Sequence, residues 1–336
     1  MFAPRVVHTR GEPSSRRTRI DSLVLALIFP GQGSQEVGMG RDAFEASTAA
    51  RAVYDAADEA LGFPISRVCF EGPEEELQRT EIQQPALLTT SVALLRALEE
   101  KTDLKPDFVA GHSLGEYTAL VAAGALGLED AVRTVHRRGG YMQEAVPQGV
   151  GSMAAIIGST PEAVADVCAE VSLERGSVVS PANFNSPGQT VIAGEAASVE
   201  DAGKRAAERG AKRVIPLKVS APFHCSLMMP AADQIRADLD SIQFSDASPP
   251  VITNVEAKPN TAASRMVELL QEQVTAPVRF TEMVQWLVAA GVTHFLEVGS
   301  GRVLSGLVSR IQRRSQRAQF SGMQDLESVE EFLQTV

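Results

Sequence analysis

The segment Gly111-His112-Ser113-Leu114-Gly115-Glu116-Tyr117-Thr118-Ala119-Leu120 follows the apolar stretch Phe108-Val109-Ala110 and opens a run with helical character. A serine flanked at two positions on either side by glycine, between a strand and a helix, predicts a sharp elbow. Cβ atoms at the glycine positions would collide there, and the turn lifts the hydroxyl over the end of a sheet. The serine also falls at a helix N-terminus, where unpaired N–H groups favour developing negative charge. A chain with this feature needs a sheet whose strands alternate with helices.

The rest of the sequence supplies that alternation. Leu23 to Phe29 is a continuous apolar run stopped by Pro30-Gly31, as expected of a central strand covered on both faces. Helical patterns follow at about 41–61 and 85–99, before the strand that leads into Ser113. From about 147 to 219 the rhythm becomes strand, helix, two strands about the turn Asn185-Ser186-Pro187-Gly188, helix and a last strand over 213–219. That order, βαββαβ, is ferredoxin-like. Strand patterns resume at 251–255 and 293–298, with helices predicted over 302–315 and near the acidic end, 325–331. The expected fold is therefore α/β: a large α/β-hydrolase-like subdomain (23–146 and 220–336) with a mostly parallel sheet, and an inserted ferredoxin-like subdomain (147–219).

Several function classes are excluded or weakened. A formal charge of -11 over 336 residues argues against general polyanion binding, so nucleic acid is not an expected partner. Cys69, Cys168 and Cys225 are too few and too separated for a disulfide framework or a metal site, which suggests a reducing cytoplasm. No apolar run approaches the roughly 20 residues of a membrane span. The glycine-rich stretches Gly31-Gln32-Gly33 and Gly299-Ser300-Gly301 lack the spacing of a dinucleotide or P-loop fingerprint. Residues 1–22 are rich in arginine and read as a disordered extension, with organelle import as the alternative.

A serine nucleophile needs a base. Of the five histidines, His8 lies in the N-terminal extension, His112 is adjacent to the serine, and His136 and His294 sit inside regular elements where a structural role is expected. His224, in Ala221-Pro222-Phe223-His224-Cys225, follows the inserted module on a loop able to present a ring at the junction. Arg138 shares a helical stripe with Leu128, Ala131, Val135 and Met142 and should point inward. An inward arginine requires either a structural carboxylate or a substrate carboxylate received by its planar fork.

Taken together, Phe29-Pro30-Gly31-Gln32-Gly33-Ser34-Gln35, Gln84-Pro85-Ala86-Leu87, the Ser113 elbow, Asn183 to Gln189 and Ala221 to His224 resemble the malonyl-CoA:acyl carrier protein transacylases of fatty acid synthesis. The resemblance implies Ser113 as the acylated nucleophile and His224 as its base, with the backbone carbonyl of Gln273 orienting that histidine. It further implies an oxyanion hole from the N–H groups of Gln32 and Leu114, with Arg138 on the malonyl carboxylate and Gln84 lining the pocket. Phe223, a site that is serine in some relatives, implies discrimination against methylmalonyl. Ser300 departs from a common proline in a late motif. The implied substrates are malonyl-CoA and the phosphopantetheine of holo acyl carrier protein, with no metal or redox cofactor and a monomeric enzyme. The runs Lys204-Arg205, Lys212-Arg213 and Arg310 to Arg317 are candidate docking surface for the acidic carrier. A serine thioesterase or hydrolase, or a polyketide-type acyltransferase for another extender unit, remains the alternative.

Overall fold

The computed structural model describes residues 24–219 and 221–336. The Arg-rich extension 1–22 and Ser220 lie outside the described residues. Strand β1 (Val24–Phe29) runs parallel to β2 (Phe108–Gly111), with Phe29 opposite Gly111. Alternate residues of β1 face different cores: Leu25, Leu27 and Phe29 pack in one cluster, Ala26 and Ile28 in another. The unbroken apolar run thus has its cause in a strand covered on both sides, each large buried side chain contributing roughly 1.5–3 kcal/mol.

After β2 the chain leaves for a second sheet made of β3 (Gly151–Ile157), β4 (Val179–Ser186), β5 (Gln189–Glu195) and β6 (Arg213–Pro216). Its order is β4-β5-β3-β6 with all neighbours antiparallel, and the helices Pro161–Arg175 and Ala196–Glu208 supply two of its crossovers. Ile156, Ile192, Val171 and Ala202 belong to a separate small core. The chain then returns through β7 (Val251–Ile252), β8 (Pro259–Asn260), β9 (Val292–Val298) and β10 (Gln316–Phe320). The large sheet has the order β10-β9-β1-β2-β7-β8, parallel except for β8.

Four local expectations need correction. The helix expected from residue 85 begins at Thr80 and runs to Glu99, with Pro85 inside it. Proline cannot donate to the carbonyl four residues back. That carbonyl, of Glu81, instead accepts the Nδ1–H of His136 at 2.7 Å, so a side chain from the neighbouring helix Leu128–Glu144 closes the gap. These two helices pack closely enough that a Cβ on Gly139 would sit 2.5 Å from the Glu81 Cα. The run 251–255 is a strand only over its first two residues, because Thr253 N–H turns back to the Lys258 carbonyl at 3.0 Å. The strand expected over 213–219 stops at Pro216. The helix expected over 302–315 ends at Ile311, and the chain adds β10 as an edge strand before the C-terminal helix Leu326–Leu333. Among the described residues, no helix is long and apolar enough to cross a membrane.

Candidate active site

The elbow forms at the carboxyl ends of β1 and β2. Ser113 has φ 51° and ψ −107°, a conformation that costs a non-glycine residue on the order of 1–3 kcal/mol and persists only where its surroundings impose it. Crowding explains the flanking glycines: a Cβ on Gly111 would lie 1.9 Å from the Gly115 carbonyl oxygen, and one on Gly115 would lie 2.2 Å from that of Phe29. Asn254 supplies much of the restraint. Its Oδ1 accepts the Ser113 N–H at 2.7 Å and its Nδ2 donates to the Gly111 carbonyl at 2.7 Å. One side-chain amide therefore holds both limbs of the turn, a role the sequence reading missed because residues 251–255 read as a continuous strand.

His224 reaches Ser113 from the loop after the inserted sheet, itself with φ 59°. Its Nδ1–H donates to the Gln273 carbonyl at 2.8 Å, which leaves Nε2 as the unprotonated nitrogen, 2.8 Å from Ser113 Oγ. The pair is thus a dyad whose orienting group is a backbone carbonyl and not a carboxylate. Burial, reinforced by the charge of Arg138 and partly opposed by the Gln273 bond, pushes the imidazole pKa down to about 3. A neutral ring facing a hydroxyl is the state a general base requires.

Arg138 lies on the other side of the same hydroxyl and is fully buried. Its Nη2 donates to Ser113 Oγ at 3.1 Å and to Gln273 Oε1 at 2.9 Å, and its Nη1 donates to Gln84 Oε1 at 2.6 Å. Its Nε has no partner among the described residues. No ion pair of Arg138 occurs among them either, so the structural-carboxylate reading of this side chain finds only an indirect counterpart, Glu116, on the far side of the Gln273 amide. Gln84 was expected to line the pocket and does not. It is buried behind Arg138, and the neighbouring Gln83 faces the cavity instead, accepting a hydrogen bond from Gln32 Nε2 at 2.6 Å. The helix presents the two glutamines about 100° apart, so one faces the guanidinium and the other the opening.

A cavity of about 720 Å³ opens over Ser113 and His224, with Gln32, Phe223, Met153 and Lys218 among its walls. It lies between the two sheets and is of a size suited to an extended ligand arm. Gln32 follows β1 and Leu114 opens the elbow helix; no backbone carbonyl among the described residues takes the N–H of either. His112 also faces the cavity, but its Nε2 is tied to Asn185 Oδ1 of β4 at 2.8 Å. His136 and His294 are engaged elsewhere, the latter between Thr293 and Thr335. Of the basic runs, Lys204 and Arg205 are already paired with Glu200, Glu174 and Asp201 on their own and the adjoining helix. Lys212 and Arg213 form no ion pair among the described residues.

Residues 26–325 match the family described as acyl transferase domain. The malonyl CoA-acyl carrier protein transacylase of Bacillus subtilis is 51% identical over 93% of this chain and 97% of its own length. That of Escherichia coli is 48% identical over 85% and 92%. Among solved structures, a malonyl-transacylase in complex with its type II PKS acyl-carrier protein superposes with a TM-score of 0.89 at 45% identity, over 92% of this chain and 99% of that one. An acyl carrier protein S-malonyltransferase from Vibrio cholerae gives 0.88 at 44% identity, over 91% and 99%.

Proposed function

Because the chain belongs to the acyl transferase family, and within it to the malonyl CoA-acyl carrier protein transacylases, we propose that it carries a malonyl group from malonyl-CoA to acyl carrier protein through an ester on Ser113. The acceptor is the carrier's phosphopantetheine thiol. The observation that carries this reading is the buried Arg138 guanidinium beside the nucleophile, 3.1 Å from Ser113 Oγ and without a direct carboxylate of its own.

The geometry supports a two-step exchange. His224 Nε2 takes the Ser113 proton as Oγ bonds to the thioester carbon, and the carbonyl oxygen becomes an oxyanion between the N–H groups of Gln32 and Leu114. Donors of this kind are worth about 2.7–4 kcal/mol each to the barrier. The C–S bond then breaks, and His224 returns the proton to the departing coenzyme A sulfur. In the second step the carrier thiol gives its proton to His224, attacks the ester, and releases Ser113 with the same proton. No metal or redox group enters this scheme. The malonyl carboxylate accepts from Arg138, whose Nε and Nη2 form one edge of the planar fork suited to two parallel hydrogen bonds. An acyl group anchored in this way keeps its ester oriented toward the thiol.

Phe223 forms part of the cavity wall, and its ring crowds an α-methyl branch; one such group discriminates by about 1–3 kcal/mol. Lys218 at the cavity, with Arg213 at the start of the strand leading to it and Lys212 just before that strand, offers positive charge to an acidic carrier. The reading includes a monomer working in the cytoplasm, where the three free, buried cysteines stay reduced.

Incubation with malonyl-CoA is expected to add one malonyl mass to the intact protein, and addition of holo carrier is expected to remove it as malonyl-carrier. Rapid release of free malonate, indifferent to the carrier, would establish the hydrolase instead.

The low pKa of His224 sets the pH response. Since the ring stays neutral down to about 3, the rate of malonyl-enzyme formation should hold steady between about pH 7 and 5 in rapid-quench measurements. An acid limb near the usual histidine value of about 6.5 would contradict this. The same shift affects stability. The unfolded chain binds the proton below about 6.5 and the folded one only near 3, so the contribution of His224 is full above that window and is lost as pH falls through it.

A further inference from the structure

Glu116 is a carboxylate with 2% of its surface exposed, on the helix Leu114–Ala122, and the exchange described above assigns it nothing. Its Oε2 accepts from Gln273 Nε2 at 2.7 Å and from the Asn254 N–H at 3.1 Å. The Gln273 amide also donates to the Ser113 carbonyl at 3.0 Å. With two acceptors on its nitrogen side, that amide has one satisfactory orientation, which turns Oε1 to Arg138 Nη2. The flipped amide would set oxygen against a carboxylate and a carbonyl, and NH₂ against a guanidinium.

We propose that Glu116 is a positioning residue for malonyl transfer: it fixes the Gln273 amide so that Arg138 is aimed at the acyl site, and it carries a proton whenever that site holds the substrate carboxylate. The second part follows from counting charges. The free site holds one buried cation, Arg138, and one carboxylate, Glu116. The other groups facing Glu116 are neutral: Gln273 from the helix Met266–Thr275, Asn254 from the loop after β7, and Tyr117 on its own helix; His224, beyond Gln273, is a neutral imidazole. A malonyl carboxylate brings a second anion to a single cation in a buried region, and one of the two anions is neutralised. Glu116 is poised for this, since burial has already pushed its carboxyl up to about 7 against the opposing pull of Gln273, Asn254 and Arg138. Folded, this group contributes stability below its ordinary carboxylate range and loses it as pH rises through about 7, the reverse of His224.

The proposal rests on malonyl transfer being the reaction. The unaltered protein tests that separately, because failure to form a malonyl adduct would remove the reading whatever Glu116 does. Glu116→Leu keeps bulk and removes the acceptor. It should lower kcat/KM for malonyl-CoA by about 100-fold and for acetyl-CoA by no more than about tenfold, since an acetyl group does not use Arg138. Equal losses on the two substrates would make Glu116 a merely structural residue and overturn the proposal. Glu116→Gln keeps an acceptor without the charge and provides the test if the leucine variant fails to fold. It should restore the preference for malonyl over acetyl to within about fivefold of the parent. In the parent, the KM for malonyl-CoA should climb above pH 7 with a slope of up to about tenfold per pH unit, whereas the glutamine variant should be flat. Identical pH profiles in the two proteins would refute the protonation.

Discussion

Ser113→Ala is expected to abolish the covalent malonyl adduct and to reduce carrier malonylation by a factor on the order of 10⁶, the scale of loss when a serine nucleophile is deleted. The fold should survive. What holds the elbow acts on the Ser113 backbone and not the hydroxyl: Asn254 Oδ1 accepts the Ser113 N–H, Gln273 Nε2 donates to its carbonyl, and Gly111 and Gly115 remove the Cβ clashes. Alanine at φ 51° carries the same strain as serine. Its methyl group does forfeit the bonds to His224 Nε2 and Arg138 Nη2, but both partners retain Gln273, through its carbonyl and its Oε1 respectively. Unfolding should therefore occur near the parent temperature while the adduct vanishes in intact-protein mass spectra. A persistent adduct in the alanine protein would place the nucleophile elsewhere.

The parts of this site that were legible in the sequence are those where chemistry restricts residue type at a fixed local spacing. The elbow is one, because only glycine clears the crowding on either side of Ser113. The inward stripe of the helix carrying Arg138 is another, since its period alone turns that arginine toward the core. The pairing of His224 with Ser113 spans 111 residues, and position on a loop left packing and catalysis open until the wider resemblance was considered. The Gln273 carbonyl is harder still. Every residue has a carbonyl, so nothing in a side-chain pattern marks the one that accepts from an imidazole.

Glu116 and Asn254 were hidden for a different reason. Glu116 looks like any polar residue in the first turn of a helix, and only the tertiary approach of Gln273 gives it a partner. Asn254 stood in a β-branched run, and the turn that carries it depends on the bond from the Thr253 N–H to the Lys258 carbonyl, which no periodicity reveals. Pro85 misplaced a helix start by the ordinary rule for proline, which here is offset by His136 from an adjacent helix. The basic runs show the same limit at the surface: Lys204 and Arg205 read as available charge, while the fold spends them on neighbouring acids.

Arg138→Ala is expected to lower kcat/KM for malonyl-CoA by about 30- to 5,000-fold, corresponding to the roughly 2–5 kcal/mol lost when one member of a buried, hydrogen-bonded charge pair, here with the substrate carboxylate, is removed. Acetyl-CoA should be affected far less, so the preference between the two should collapse or reverse. The site would then present Gln84 Oε1 and Gln273 Oε1 as acceptors with no donor between them, beside the Glu116 carboxyl, an environment that repels a carboxylate and tolerates an uncharged acyl chain. The same loss removes the positive charge that helps hold the His224 pKa down, so in this variant an acid limb of acetyl transfer should move up from about 3 toward the ordinary histidine range. Both effects are measurable in one series, by competing malonyl- and acetyl-CoA for the enzyme across pH and weighing the two adducts. A variant that keeps the parent preference for malonyl would show that the carboxylate is held by another group, and the guanidinium beside Ser113 would then serve the hydroxyl alone.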